Sequence, residues 1–315
     1  MSIPEYTKFG YVNKFGQYNI IGQLEDNLKS FFDYAFLSIG AFTNVSSANT
    51  SLYGGSFHTL NSVSDPSYTD NTVYETVRKD WVWDSGVVYS GVSPVNISGV
   101  YVNDALIPAP TGNSTYPYHL DYNQGRVVFS NALSSSDTVK MNYSYRNVQV
   151  YKGNESDWFK ELQYNSYDPS KFTNVKNIIN THRVQMPCIL IELAPGTDLI
   201  PYRIGTTENI IRQDVILHIL AEKYVDRAYL LDILLLQKDK AIKLYNIHKI
   251  VENSVYPINY DGSRNSSYLN YSEISQNSTY FLRTCFFRDM NLIDLDYLTG
   301  SIARASIRLQ LEIYP

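Results

Sequence analysis

Cysteine is nearly missing from this chain of 315 residues. The two that occur, Cys188 and Cys285, lie far apart and inside apolar runs, Pro187-Cys188-Ile189-Leu190 and Cys285-Phe286-Phe287. Two distant cysteines exclude a disulfide scaffold, and buried free thiols are expected. Histidine is scarce as well. His58, His119, His182, His218 and His248 are scattered, with no pair at the four-residue spacing that sets two ligands on one helix face, so no zinc motif is present. His218 sits within an apolar strand candidate and is read as a packed residue. A Gly-x-Ser-x-Gly elbow, a phosphate-cradling Gly-rich loop ending in Lys-Ser/Thr and a dinucleotide fingerprint are all lacking, which removes the commonest enzyme signatures.

Basic residues are not in excess either. With 26 Lys and Arg against 31 Asp and Glu, the formal net charge is −5, the wrong sign for a surface built to grip phosphates. An acidic conduit that lets a duplex pass remains compatible with that charge. No apolar stretch approaches the ~20 residues that span a bilayer, and Met1-Ser-Ile-Pro-Glu-Tyr does not resemble a secretory signal. A soluble product of a reducing cytosol, with no membrane partner, is expected. The Asn-x-Ser/Thr triplets at Asn44, Asn96, Asn142 and Asn277 are then products of composition.

What is abundant is tyrosine. Hydrophobic residues make up 44% of the chain, and 28 Tyr and 13 Phe carry much of that share. A ring with a polar tip suits half-buried sheets and wet protein contacts equally, and composition alone does not choose between them. The length predicts two modules, or one domain with a large insertion.

Along the chain, residues 1–12 read as an N-terminal arm and 13–45 as a segment built around an amphipathic helix. Leu24, Leu28, Phe31, Phe32, Ala35, Phe36 and Ile39 recur at helical spacing, and Gly40 offers a stop. Residues 46–80 are rich in Ser, Thr, Asn and Gly and read as a linker or loop. Residues 81–151 read as an all-β module. Val100-Tyr-Val and Ala105-Leu-Ile flank Asn103-Asp104, and His119 to Tyr122 faces Arg126 to Phe129 across a turn containing Gly125. Thr138 to Tyr151 alternates, with Val139, Met141, Tyr143 and Tyr145 on one side.

Residues 152–315 read as a mixed main domain. Strands are expected at 185–193, 214–221, 241–250 and 304–314. Asp226 is expected to cap a helix to about Gln237, whose apolar centre, Leu230 to Leu236, requires burial on more than one side. Residues 259–279 read as an exposed loop. The fold class is therefore α+β, with an all-β module inserted into or preceding a mixed α/β domain.

Three constellations invite a chemical reading. Asp294 and Asp296 share one side of an extended segment, but no His, Lys or third carboxylate adjoins them in sequence, so a solvated face is expected rather than an acid–base pair. Asp261-Gly-Ser-Arg-Asn265 lacks the closing Glu of a calcium loop. Trp81 and Trp83 point to the same side and form either a stacking platform for a sugar or base, or the packed edge of the β module. Catalytic, cofactor-binding and metal-binding residues are accordingly expected to be none, and the protein is read as a non-enzyme.

The stretches Gly86-Val-Val-Tyr, Val100-Tyr-Val-Asn-Asp, Leu120-Asp-Tyr-Asn-Gln-Gly-Arg-Val-Val-Phe and Thr138-Val-Lys-Met-Asn-Tyr-Ser-Tyr resemble β modules of tailed-bacteriophage virion structural proteins. The C-terminal half is similar in element order to tail-terminator and neck proteins. The resemblance implies a virion subunit made in the bacterial host cytoplasm that assembles into a homo-oligomeric ring, commonly hexameric. Its neighbours would be neck, tail tube and tail sheath proteins, at the neck or head–tail connection, and DNA would pass without being held specifically. A baseplate or host-recognition protein binding glycans through the β module is the alternative.

Overall fold

The computed structural model describes residues 20–46, 58–83, 86–109, 117–153, 184–203, 208–259, 262–299 and 302–315. The expected arm at 1–12 lies outside them. Strand outweighs helix in what is described, in keeping with an α+β chain that is mostly β.

The first element is helix α1, Ile21–Ser38. Leu24, Leu28, Phe31, Phe32 and Phe36 bury its apolar stripe, each contributing roughly 1.5–3 kcal/mol. Ile39, expected on that stripe, is exposed, because the helix ends there. Gly40 takes φ +86°, its N–H returns to Leu37 O and the N–H of Ala41 returns to Phe36 O, which is the two-bond glycine stop. Two polar side chains of α1 are buried for a reason: Asn27 donates to Tyr245 O at 3.1 Å and accepts from Tyr245 N at 2.8 Å, and Gln23 accepts from Ile247 N at 2.7 Å. They stitch the helix to a strand more than two hundred residues away.

Ten short strands follow: β1 Phe42–Val45, β2 Thr59–Val63, β3 Val73–Glu75, β4 Gly99–Val102, β5 Ala105–Pro108, β6 Tyr118–Asp121, β7 Arg126–Phe129, β8 Val139–Met141, β9 Tyr143–Arg146 and β10 Gln149–Lys152. Seven of them form an antiparallel sheet in the order β5-β4-β8-β2-β3-β7-β6, and β1 pairs with β9. The sheet curls through β2, whose Thr59 and Leu60 pair with β8 while Asn61 to Val63 pair with β3. The curl draws its outermost strands together, since the Tyr118 hydroxyl on β6 donates to Ile107 O and Pro108 O on β5, at 3.2 and 2.9 Å. Both sequence-read hairpins are present. Asn103 and Asp104 hold positive φ in the first turn, and Gly125 does so in the second.

Two expectations change here. The stretch 46–80 holds β2 and β3, which are interior strands of the sheet; at five and three residues, flanked by Ser, Thr and Asn, they lie below the length at which alternation shows. Thr138 to Tyr151 is three strands in three different sheets rather than one. Val139, Met141, Tyr143 and Tyr145 do face the module core, yet Ser144 and Arg146 on the other side are also buried.

The second half is organised by four long strands: β11 Cys188–Pro201, β12 Asn209–Ala221, β14 Phe281–Thr299 and β15 Ile302–Tyr314, with the short β13 Ala241–Tyr245. The sheet order is β10-β11-β12-β15-β14-β13, and only β10 runs parallel to its neighbour. Helix α2, Tyr224–Leu235, and α1 cover one face, where Val215, Leu217, Ile219, Ala305, Ile307, Leu309, Leu311 and Ile313 meet Phe31, Phe32, Leu230 and Leu234. Phe31 and Phe287 stack edge to face at 5.7 Å. Helices α3 Ile247–Glu252 and α4 Tyr271–Gln276 complete the fold.

Three further differences from the sequence reading have local causes. Residues 241–250 are a strand and then α3, because the Asn246 side chain caps the Lys249 N–H. Residues 259–279 are not simply an exposed loop: Ser263 and Ile274 are buried, and Arg264 donates to Asn96 Oδ1 at 2.7 Å on the β module. Helix α2 begins at Tyr224, before Asp226, and buries one face fully, with Leu231, Ile233 and Leu235 partly buried against the same core. Within the chain Arg227, Leu230 and Leu234 are covered, while Tyr229 is 64% and Leu236 80% exposed.

Candidate functional site

The sequence-read candidates scatter when placed in the fold. Trp81 is 0% exposed, with its indole N–H donated to Thr76 Oγ1 at 2.9 Å and its ring against Tyr122 and Tyr143. Trp83 is only partly buried, and the Arg146 guanidinium lies 5.6 Å from its ring centre. The pair is therefore packing for Trp81 and a rim contact for Trp83, and no two-ring platform exists. His218 hydrogen-bonds Ser306 Oγ through Nδ1 at 3.1 Å and Glu192 through Nε2 at 2.9 Å. Burial lowers its pKa below the ordinary value, with the Glu192 contact opposing that shift. Cys188 and Cys285 are buried free thiols, and burial pushes both thiol pKa values far up. Asp261 lies outside the described residues, and a side chain at Gly262 would strike Leu120 O, so this loop is pressed against the β module.

Asp294 and Asp296 do share a face, and both are on Arg304. The guanidinium donates Nε to Asp296 Oδ1 at 2.8 Å and Nη2 to Asp296 Oδ2 at 2.7 Å, with Asp294 on the same Nη2. The pair is neutralised by a forked cation, an arrangement suited to holding shape rather than moving protons.

That contact is one rung of a larger feature. The face of the long-stranded sheet turned away from α1 and α2 carries a row of ion pairs. Arg308 donates to Asp214, with Nε at 3.1 Å, and Gln310 reaches the same carboxylate. Arg212 and Arg288 each donate to Glu312 at 2.8 Å, and the Tyr314 hydroxyl adds a third donor at 3.0 Å. Burial alone would raise the Glu312 carboxyl, but these three donors outweigh it and hold its pKa below the ordinary value. The face thus sets the guanidinium groups of Arg212, Arg288, Arg304 and Arg308 against the carboxylates of Asp214, Asp294, Asp296 and Glu312, while Glu192 contacts His218. Each arginine is engaged by a carboxylate, so the row offers polarity with little free positive charge. Such half-exposed pairs contribute only about 0–1 kcal/mol each to stability. The signal in the sequence was the alternation of 304–314, which gave the polar side of β15; the partners come from two other strands, β12 and β14, and are invisible without the register.

A second polar concentration joins the two sheets. A cleft of about 460 Å³ is lined by Asp33, Asp80, Trp83, Arg146, Tyr151 and Tyr271, among others. Arg146 donates to Trp81 O at 2.6 Å and pairs with Asp33 at 2.8 Å, and the Tyr151 hydroxyl donates to Asp80 Oδ2 at 2.6 Å. Burial raises the Asp80 pKa. Strand β10 follows β9 after two residues and enters the six-stranded sheet, so this network sits where the chain passes from the β1–β9 pair of the β module into that sheet. It functions as a joint.

Among the described residues, no three His, Cys, Asp or Glu side chains gather as a metal site, and no helix is long and apolar enough to cross a membrane. No family model matches the chain, and no curated protein matches it.

Proposed function

We propose that this protein is a ring-forming structural subunit of a tailed-phage virion, of the tail-terminator or head–tail connection type, whose long-stranded sheet lines a passage for DNA. The observation that carries the reading is the sheet itself: α1 and α2 cover the middle of one face, and the other presents self-neutralised ion pairs. A duplex moving along such a surface meets polarity without a ladder of free cations, so it is not gripped through its phosphates. The curled β module, resembling those of virion structural proteins, would then sit outside the ring and meet neighbouring neck, tube or sheath proteins. The work is mechanical, and no bond is made or broken.

The glycan-binding alternative loses its main support with Trp81 buried in the module core. Labelling virions that contain this chain with an antibody fragment against its β module tests the proposal. Label confined to the junction of head and tail is the expected result; label at fibre tips or the baseplate rim would overturn it.

A further inference from the structure

We infer that the long-stranded sheet is continued by a second copy of this chain, with the free half of β11 in one subunit pairing antiparallel with the free half of β14 in the next. The inference rests on the ring reading above for its closure, though not for the pairing itself.

The two edges complement each other in extent. Strand β10 covers β11 only over Cys188 to Ile191, and β13 covers β14 only as far as Phe286, with one further backbone exchange at Phe287. Among the described residues, β11 from Leu193 to Pro201 and β14 from Arg288 to Thr299 therefore have a strand on one side only. Each free stretch is about as long as the other. They also lie diagonally, at opposite ends of the sheet, so that β10 and β13 do not obstruct a neighbour that slides along the strands. The slide needed is roughly seven residues, ~23 Å at the ordinary rise per residue. Stagger of this kind is what closing tilted strands into a barrel requires.

Direction agrees as well. Because β11, β12, β15 and β14 alternate in sense, the two outer strands of the set run oppositely. A copy placed beside the first in the same orientation therefore presents β14 antiparallel to β11 and keeps the alternation of the whole sheet. This is a head-to-tail contact, which closes into a ring when the rotation allows.

The side chains agree too. Leu292, Leu295 and Tyr297 face the helix-covered side, opposite Ile307, Ala305 and Ala303, and all three stay exposed even though Arg227 of α2 reaches the Tyr297 ring at 5.4 Å. On β11, Leu199 faces that same side, opposite Ile211, and is 62% exposed. Same-orientation pairing brings these apolar groups together on one face and leaves the ion-pair row continuous on the other. Both edges are bulged, at Leu193/Thr197 on β11 and at three places on β14. Bulges disfavour indiscriminate strand addition, so the partner must carry a matching edge, and the other edge of this chain is one.

The test uses the full chain with Leu199→Cys or Leu295→Cys. Both positions are exposed, and the native thiols are buried and unreactive. Treated with a short bismaleimide, a mixture of the two single variants should give a covalent dimer that neither gives alone, and the double variant should give a ladder ending at a closed species. A mixture that assembles by light scattering but does not cross-link overturns the edge pairing and leaves the ring reading standing. Cross-linking into open ladders with no closed species keeps the pairing and overturns the ring. Monomers without cross-links overturn both. As a second arm, Leu295→Lys should weaken assembly at least tenfold, and adding Leu199→Glu should restore it; failure of the rescue, with both variants folded, contradicts the contact.

Discussion

The two larger sheets of this protein solve the edge problem in opposite ways. The seven-stranded sheet is made of strands three to five residues long, curls through β2 and draws its outer strands together through the Tyr118 hydroxyl. The six-stranded sheet is built on four strands of 13 to 19 residues, with the short β10 and β13 at its edges, and leaves half of β11 and half of β14 with one neighbour among the described residues. A curled sheet of short strands whose ends are tied by a side chain offers little edge, and a long open one invites a partner. The same contrast holds for the helices. Helix α1 buries eight residues and α2 three, although both lie on the same sheet.

The contrast is broken most severely by changes to the closed parts. Trp81→Ala removes the largest fully buried side chain and orphans the Thr76 contact, so a loss of about 3–5 kcal/mol in urea unfolding is expected. Phe32→Ala in α1 should cost a similar amount. Next comes the joint: Arg146→Ala strips Trp81 O and Asp33 of their partner at a buried site, for an expected loss of about 3 kcal/mol, read in the same assay. A Tyr229→Ser, Leu236→Ser double variant on α2 should change unfolding of the single chain by no more than about 0.5 kcal/mol, as surface substitutions do. A large loss there would mean that α2 is packed within the chain after all.

A fragment comparison sharpens the same point. Residues 81–151 alone lack β2 and β3, which sit between β8 and β7 in the sheet. They should show no β signal in circular dichroism, whereas residues 41–147 should.

The smallest effect concerns pH. His218 is neutral where it is buried, and its folded pKa lies below the unfolded value of 6.5. Its contribution is complete above that value and is lost as pH falls from there through the folded pKa. The urea midpoint should therefore drop more steeply between pH 7 and pH 5 in the parent than in His218→Gln, and equal slopes would contradict the assignment.

These elements also show how far residues alone carry the reading. Helix α1, both hairpin turns, β15 and the cores of β11 and β12 were legible, because each has a period or a glycine with a physical reason behind it. Strand β14, the longest among the described residues, was not. Its bulges at Phe287/Asp289, Leu292/Asp294 and Tyr297/Thr299 each reset the alternation, leaving Leu292-Ile293-Asp294-Leu295-Asp296 as a fragment that suggested only a carboxylate pair. The expectation that α2 is buried on several sides came from its all-round apolar centre. The structure buries Leu230 and Leu234, packs Leu231, Ile233 and Leu235 partly buried against the same core, and leaves Leu236, with Tyr229 beside the centre, uncovered within one chain. The ion-pair row was half legible: β15 announced a polar side, but Asp214, Glu312 and the arginines meet only through a register spanning about a hundred residues.

Single-particle imaging of the purified full chain tests the central claim most directly. The account expects closed rings in which the sheets of successive subunits run on without a break and the face bearing Arg304, Arg308 and Glu312 points to the lumen. Rings with that face turned outward, or particles that stay monomeric at every concentration, would contradict it.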